Sequence, residues 1–271
     1  RFYARPEVFT FLFIAIELWL LDRFRRRGGR AILAIPLLQV VWSNSQALAI
    51  MGPFFVGLAL AASLVPFERE VARPISRSRL APREIALRAA VFAATIAACL
   101  VNPYGAKALA FPFIQFSHLG GTVFKNAMTE LATPFAVGAA YPPIAYYIAL
   151  IAICAATSLA NVRRLDLFLA LAAGSQLYLS LLAVRNVPLF ALTSIPLVFD
   201  NLRKISWGRL APPLRARALL ARGVLAAVAA VAAFHTWSLA TNREYVVHNE
   251  VSESGLGVAR HAYPAEAVAF V

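Results

Sequence analysis

Long apolar runs alternate with short charged or polar interruptions along nearly the whole chain. Eight runs stand out, at about 8–21, 31–42, 47–66, 85–101, 141–160, 167–184, 187–200 and 223–240. A helix needs about 20 apolar residues, or about 17 at minimum, to cross a bilayer. Runs two and seven are shorter, so their helices must start deep, tilt little or face a water-filled recess. The pattern predicts an all-α, polytopic transmembrane helical bundle of about eight spans. The transmembrane domain covers 1–240, with an outer interfacial loop at 106–140, and an external region starts at 241–271.

The interruptions carry the next level of information. "WSNSQ", Trp42 to Gln46, falls between runs two and three. It reads as an outer turn, with Trp42 in an interfacial aromatic belt. Asn102-Pro103-Tyr104-Gly105 ends run four, Arg185-Asn186 separates runs six and seven, and Arg5-Pro6 precedes run one. Alternation of the runs puts all four on one face. In the longest outer connection, Pro112 interrupts Phe111, Phe113 and Phe116, which predicts a segment lying against the membrane rather than through it. Pro264 opens a last apolar stretch, read as a helix start in the external region.

Charge gives the bundle its direction. Nineteen of the 26 Lys and Arg residues fall on the other face: five from Arg23 to Arg30, six from Arg69 to Arg88, Arg163 and Arg164, and six from Arg203 to Arg222. The positive-inside rule makes that face cytoplasmic, where it attracts anionic lipids. The net charge of +13 is then topology, and nucleic acid is not expected as a partner. Composition agrees: 61% of the 271 residues are apolar and 14% charged, against about 25% charged in soluble domains. Mean hydropathy is +0.69. Cys99 and Cys154 lie in apolar runs and read as small hydrophobes. No signal peptide pattern opens the chain.

Candidate chemistry gathers on the outer face. Arg5 and Arg185 are fixed cations able to hold a phosphate bidentately. Glu130 is the acid of the outer connections between run one and the exit of run eight, positioned to act as a base or to hold a divalent metal. Against each stands a plainer reading, as a headgroup contact or a solvated loop residue. Glu17 lies inside run one, near enough to the Arg23–Arg27 cluster to expect an inner-face partner. His235 reads as a packed group in run eight, and His118 as an interfacial loop residue. Glu68-Arg69-Glu70 reads as a balanced cytoplasmic surface.

Several stretches, taken in order, resemble one group of proteins: "ARPEVFTFLFIAIELWLLD", "VVWSNSQALAIMGPFFVGL", "LVNPYGAKALAFP", "MTELATPF", "RNVPLFALTSIPL" and "YPAEAVAFV". They are similar to bacterial polytopic proteins related to GT-C-type glycosyltransferases, which use lipid-phosphate-linked sugars at an outward-facing site. The resemblance implies an inner-membrane enzyme moving sugar from a polyprenyl-phosphate donor to an external acceptor. Arg5 and Arg185 would hold the lipid phosphate; Asn44, Gln46 and Asn102 would bind sugar or orient the acid. The group usually shows Trp-x-Asn-x-His-Gly where this chain has Trp42, Asn44, Gln46 and Ala47, and glutamine cannot do a histidine's acid–base work. Its main acid usually lies in a first outer loop, which would precede Arg1. A catalytically degenerate accessory subunit of a larger membrane complex is therefore the alternative. A transporter would show inverted repeats and paired midplane charges, and neither is clear.

Overall fold

The computed structural model describes residues 7–65, 82–119, 129–137 and 144–204, with eight separate positions between 223 and 241. The chain divides into two compact units, Arg1–Ile205 and Ser206–Val271. Regular structure among the described residues is helical throughout. The first unit holds α1 (Glu7–Arg27), α2 (Ala34–Ser45), α3 (Met51–Leu64), α4 (Pro82–Ala98), α5 (Ala106–Leu119), α6 (Ile144–Ala160), α7 (Leu167–Leu182) and α8 (Val187–Lys204). All of runs one to seven are thus occupied by a helix. In the second unit, the described positions from 223 to 238 are helical, and Thr241 N–H donates to the Trp237 carbonyl at 3.0 Å. The expected external region at 242–271 and the connection at 66–81 lie outside the described residues.

Prolines and glycines mark where the helices begin and end. Pro82 opens α4, and Pro36, Pro53 and Pro188 sit in first turns, where a missing N–H costs nothing. Gly28, at φ 67°, closes α1 by donating to the Phe24 carbonyl at 2.7 Å, a left-handed C-cap. α5 has 14 residues with Pro112 inside it, too short to span alone. It packs against the 3₁₀ turn Ala47–Ile50.

Packing pairs α7 with α8, α3 with α4, α6 with α8, α2 with α4, and α1 with both α2 and α3. The core contains Phe13, Ile14, Trp42, Phe55 and Phe168. A second cluster centres on Tyr147 and Phe190, whose rings meet edge to face at 6.0 Å.

The distribution of polarity is the unusual feature. Glu17, Gln39, Thr95, Gln176, Thr193 and Asn201 are buried, whereas Leu12, Trp19, Leu37, Ile148, Leu159 and Phe199 are exposed. α6 shows it best. It buries Tyr147, Cys154 and Thr157 and leaves Tyr146, Ile148, Ile153 and Leu159 outside. By length and composition, one described helical segment, Ala47–Leu64, is long and apolar enough to cross a membrane; Ile144–Ala160 and Leu167–Leu182 are apolar but shorter.

One end of the bundle is tied by charge. Arg25 makes a two-pronged pair with Asp166, one bond at 2.6 Å, and its guanidinium lies 5.3 Å over the Phe168 ring. Asp166 also caps α7 by accepting from Leu169 N–H at 3.0 Å. Burial alone would push the Asp166 carboxyl up, but the Arg25 guanidinium and the Leu169 N–H overcome this and hold it below its ordinary range. Arg26 bridges Asp22 at 2.7 Å and Asp200 at 3.2 Å. Burial would lower its affinity for the proton, but the two carboxylates raise it above its ordinary value. Lys204 pairs with Asp200 and donates to the Arg164 carbonyl at 2.7 Å. The basic ends of α1 and α8 and the start of α7, with Arg163 and Arg164 just before it, therefore share one end of the bundle, as alternation of the runs requires.

Candidate functional site

The opposite end is built on "WSNSQ". The last carbonyls of any helix lack intrahelical donors. The Trp42 carbonyl accepts from Gln46 N–H at 3.1 Å, and three side chains fold back onto carbonyls one turn earlier: Ser43 Oγ donates to the Gln39 carbonyl at 2.8 Å, Asn44 Nδ2 to Val40 at 2.7 Å, and Ser45 Oγ to Val41 at 2.7 Å. Gln46 then turns extended and caps the next 3₁₀ turn by accepting from Leu48 N–H. Its Oε1 also accepts from Thr10 Oγ1 of α1 at 3.0 Å. The polar run thus bonds largely to its own helix, the local back-bonding open to Ser and Asn side chains.

Trp42 does not lie in a belt. It is fully buried, its ring 5.5 Å from Phe13 and its Nε1–H donating to Thr10 Oγ1 at 3.3 Å. The indole points toward α1 because α2 packs there, and the Thr10 hydroxyl satisfies its one polar atom.

Two groups of candidates emerge. Asn44 Nδ2 donates to the Val101 carbonyl at 2.7 Å, joining α2 to the end of α4. Asn102 beside it donates to the Cys99 carbonyl at 2.6 Å and accepts from Tyr104 N–H at 2.8 Å. Gln46 completes this group, lining a cleft of about 40 Å³ with Ser43, Cys99, Ala108 and Leu109. That holds a few waters at most, far short of a sugar ring. The amides of Asn44, Gln46 and Asn102 thus all have structural bonds.

Glu130 and Arg185 form the second group. Glu130 lies in the 3₁₀ turn Thr129–Leu131 and Arg185 in Val184–Asn186. The two turns pack together, joined by Val184 N–H donating to the Ala132 carbonyl at 2.9 Å. Both side chains are half-buried. Arg5 falls outside the described residues, as do His235 and Glu68–Glu70. Among the described residues no group of three or more His, Cys, Asp or Glu side chains could hold a metal ion.

The pattern of the sequence did not single out Gln39. It sits inside run two, fully buried, and its Nε2 donates to the Ala49 carbonyl at 2.8 Å and to Cys99 Sγ at 3.2 Å. The available signal was a lone amide in an apolar run. Gly52 makes room for it: a Cβ there would come 1.9 Å from Gln39 Oε1. Gly52→Ala should therefore expel the amide and cost about 1–3 kcal/mol, measured by reversible unfolding in micelles. An unchanged midpoint would mean the α2–α3 contact is looser than described.

No family model, no curated protein and no solved structure matches the chain.

Proposed function

We propose that the chain is a polytopic bundle of about eight spans in a bacterial inner membrane, with its basic end cytoplasmic. On this reading its outer end serves transfer of a sugar from a polyprenyl-phosphate donor to an external acceptor. The observation that carries the membrane part is the inverted polarity of the bundle. In water, an exposed Leu and Phe coat around buried Glu, Gln, Asn and Thr is unfavourable. In hydrocarbon the apolar coat is at home, and polar groups turn inward to bond one another. The gathering of Arg23–Arg30, Arg163, Arg164, Arg203 and Lys204 at one end fits the cytoplasmic side.

The sugar-transfer part rests on the resemblance and on the pairing of turns that carry Glu130 and Arg185. In such a transfer an acceptor hydroxyl attacks the anomeric carbon and the lipid phosphate leaves. Glu130 would take the hydroxyl proton; Arg185, with Arg5, would hold the departing phosphate. Asn44, Gln46 and Asn102 would orient the sugar from the neighbouring group. With the full-length protein and a polyprenyl-phosphate sugar, Glu130→Gln should lower transfer by about 10²-fold or more. Arg185→Ala should weaken donor binding. Unchanged transfer in both would overturn these roles.

A second reading, an accessory subunit of a larger membrane complex, is favoured by the engaged amides of Asn44, Gln46 and Asn102. It predicts no transfer by the parent protein and stoichiometric copurification of membrane partners.

A further inference from the structure

Glu17 is 1% exposed, and among the described residues neither carboxyl oxygen has a hydrogen-bond partner. The sequence led to the expectation of an inner-face partner in the Arg23–Arg27 cluster. The structure corrects this: Arg25 and Arg26 are taken by Asp166, Asp22 and Asp200. Glu17 also lies two turns before Arg25 on α1, about 12 Å away along the helix. A bare buried carboxylate is too costly to persist, so something that neutralises it has to reach it.

The other elements narrow the choice. α2 and α3 pack on α1 and contain no titratable side chain. α4 brings Arg83, Glu84 and Arg88, toward its start, with Arg88 stacked over Phe24 at 5.4 Å, and Cys99 just past its end. α8 brings Asp200, Arg203 and Lys204, at the ionic end. No second acid accompanies Glu17 to make a divalent metal site among the described residues. A proton is the occupant that fits a lone carboxyl.

A polar column leads there from the opposite end. Thr10 and Gln46 bond to each other near that end. Seven residues along from each, roughly 10 Å, stand Glu17 on α1 and Gln39 on the antiparallel α2. Gln39 bonds to Cys99 and to Ser43 Oγ, both at 3.2 Å, and Ser43 and Cys99 line the cleft with Gln46.

We infer that Glu17 is a proton-binding site loaded from the outer end of the bundle, through the cleft between Ser43, Gln46 and Cys99 and past Gln39. The step is a simple one: a carboxylate oxygen takes a proton to give the neutral acid, and no other bond changes. The site rests on the membrane reading for its sidedness and is independent of sugar transfer.

Infrared difference spectroscopy on the full chain, in liposomes and in micelles, tests it. An acid jump should raise a carboxyl C=O band that Glu17→Gln removes and Glu17→Asp shifts. Ala108→Trp, which fills the cleft while replacing no side chain of the polar column, should slow the band's appearance at least tenfold. A Glu17-dependent band absent at every pH, or a rate that Ala108→Trp leaves unchanged, would overturn the site. Failure to enter liposomes, with a normal response in micelles, would contradict the membrane reading alone.

Discussion

Asp166→Ala should destabilise the bundle by about 3–5 kcal/mol, the cost of removing one partner of a buried ion pair. Asp166 is completely buried and Arg25 nearly so. Removing the carboxylate takes the two-pronged bond from the guanidinium, which keeps a longer contact to Asp22 at 3.4 Å, and also uncaps α7 at Leu169 N–H. The double variant Asp166→Ala with Arg25→Leu should recover much of the loss, because the buried guanidinium goes with its partner. Acid should act in the same direction. The folded-state affinity of Asp166 for the proton is lowered, so its contribution is present above the ordinary carboxyl range. It is lost as pH falls through the lower, folded value. Unfolding midpoints measured from neutral to acid pH should therefore fall more steeply in the parent than in the double variant. Equal slopes would mean that Asp166 is not the group being titrated.

Trp42→Ala should cost about 3–5 kcal/mol, the range for deleting a large buried aromatic. The indole is fully enclosed, touches Phe13 and spends its N–H on Thr10. Truncation would leave a cavity between α1 and α2 and strip Thr10 of a donor. Trp42→Phe keeps an aromatic ring, loses the N–H and leaves a much smaller cavity, so about 1–2 kcal/mol is expected. Thermal or denaturant unfolding in micelles reads both. A loss for Trp42→Ala no larger than for Trp42→Phe would place the indole at a surface, as an interfacial belt would.

Helix positions were legible because apolar runs and their punctuation are local signals. Run six, read at 167–184, is α7 at Leu167–Leu182, and run seven, read at 187–200, opens with α8 at Val187. The shared basic end of α1, α7 and α8 was legible too, since alternating direction follows from counting runs. Side-chain partners were not. Trp42 looked interfacial because its neighbours are polar, but those neighbours serve the carbonyls of α2. Glu17 looked close to arginines along the chain, yet helix rotation turns it toward the core and the arginines toward other acids. Gln39 gave one weak signal, and nothing along the chain reveals that Gly52 faces it. Of the outer candidates, the turns bearing Glu130 and Arg185 come together through a contact between segments some fifty residues apart, which periodicity cannot report.

Cysteine accessibility in intact cells tests the central claim, that this bundle is embedded in the membrane with its basic end inside. Single cysteines at Arg27 and Arg163 sit at the basic end; one at Tyr104, which is 74% exposed, sits at the other. Native Cys99 and Cys154 are buried and contribute little background. A membrane-impermeant thiol reagent should label the Tyr104 position in intact cells and reach the Arg27 and Arg163 positions only after permeabilisation. Labelling of Arg27 or Arg163 from outside, or protection of all three until the cell is opened, would contradict the account.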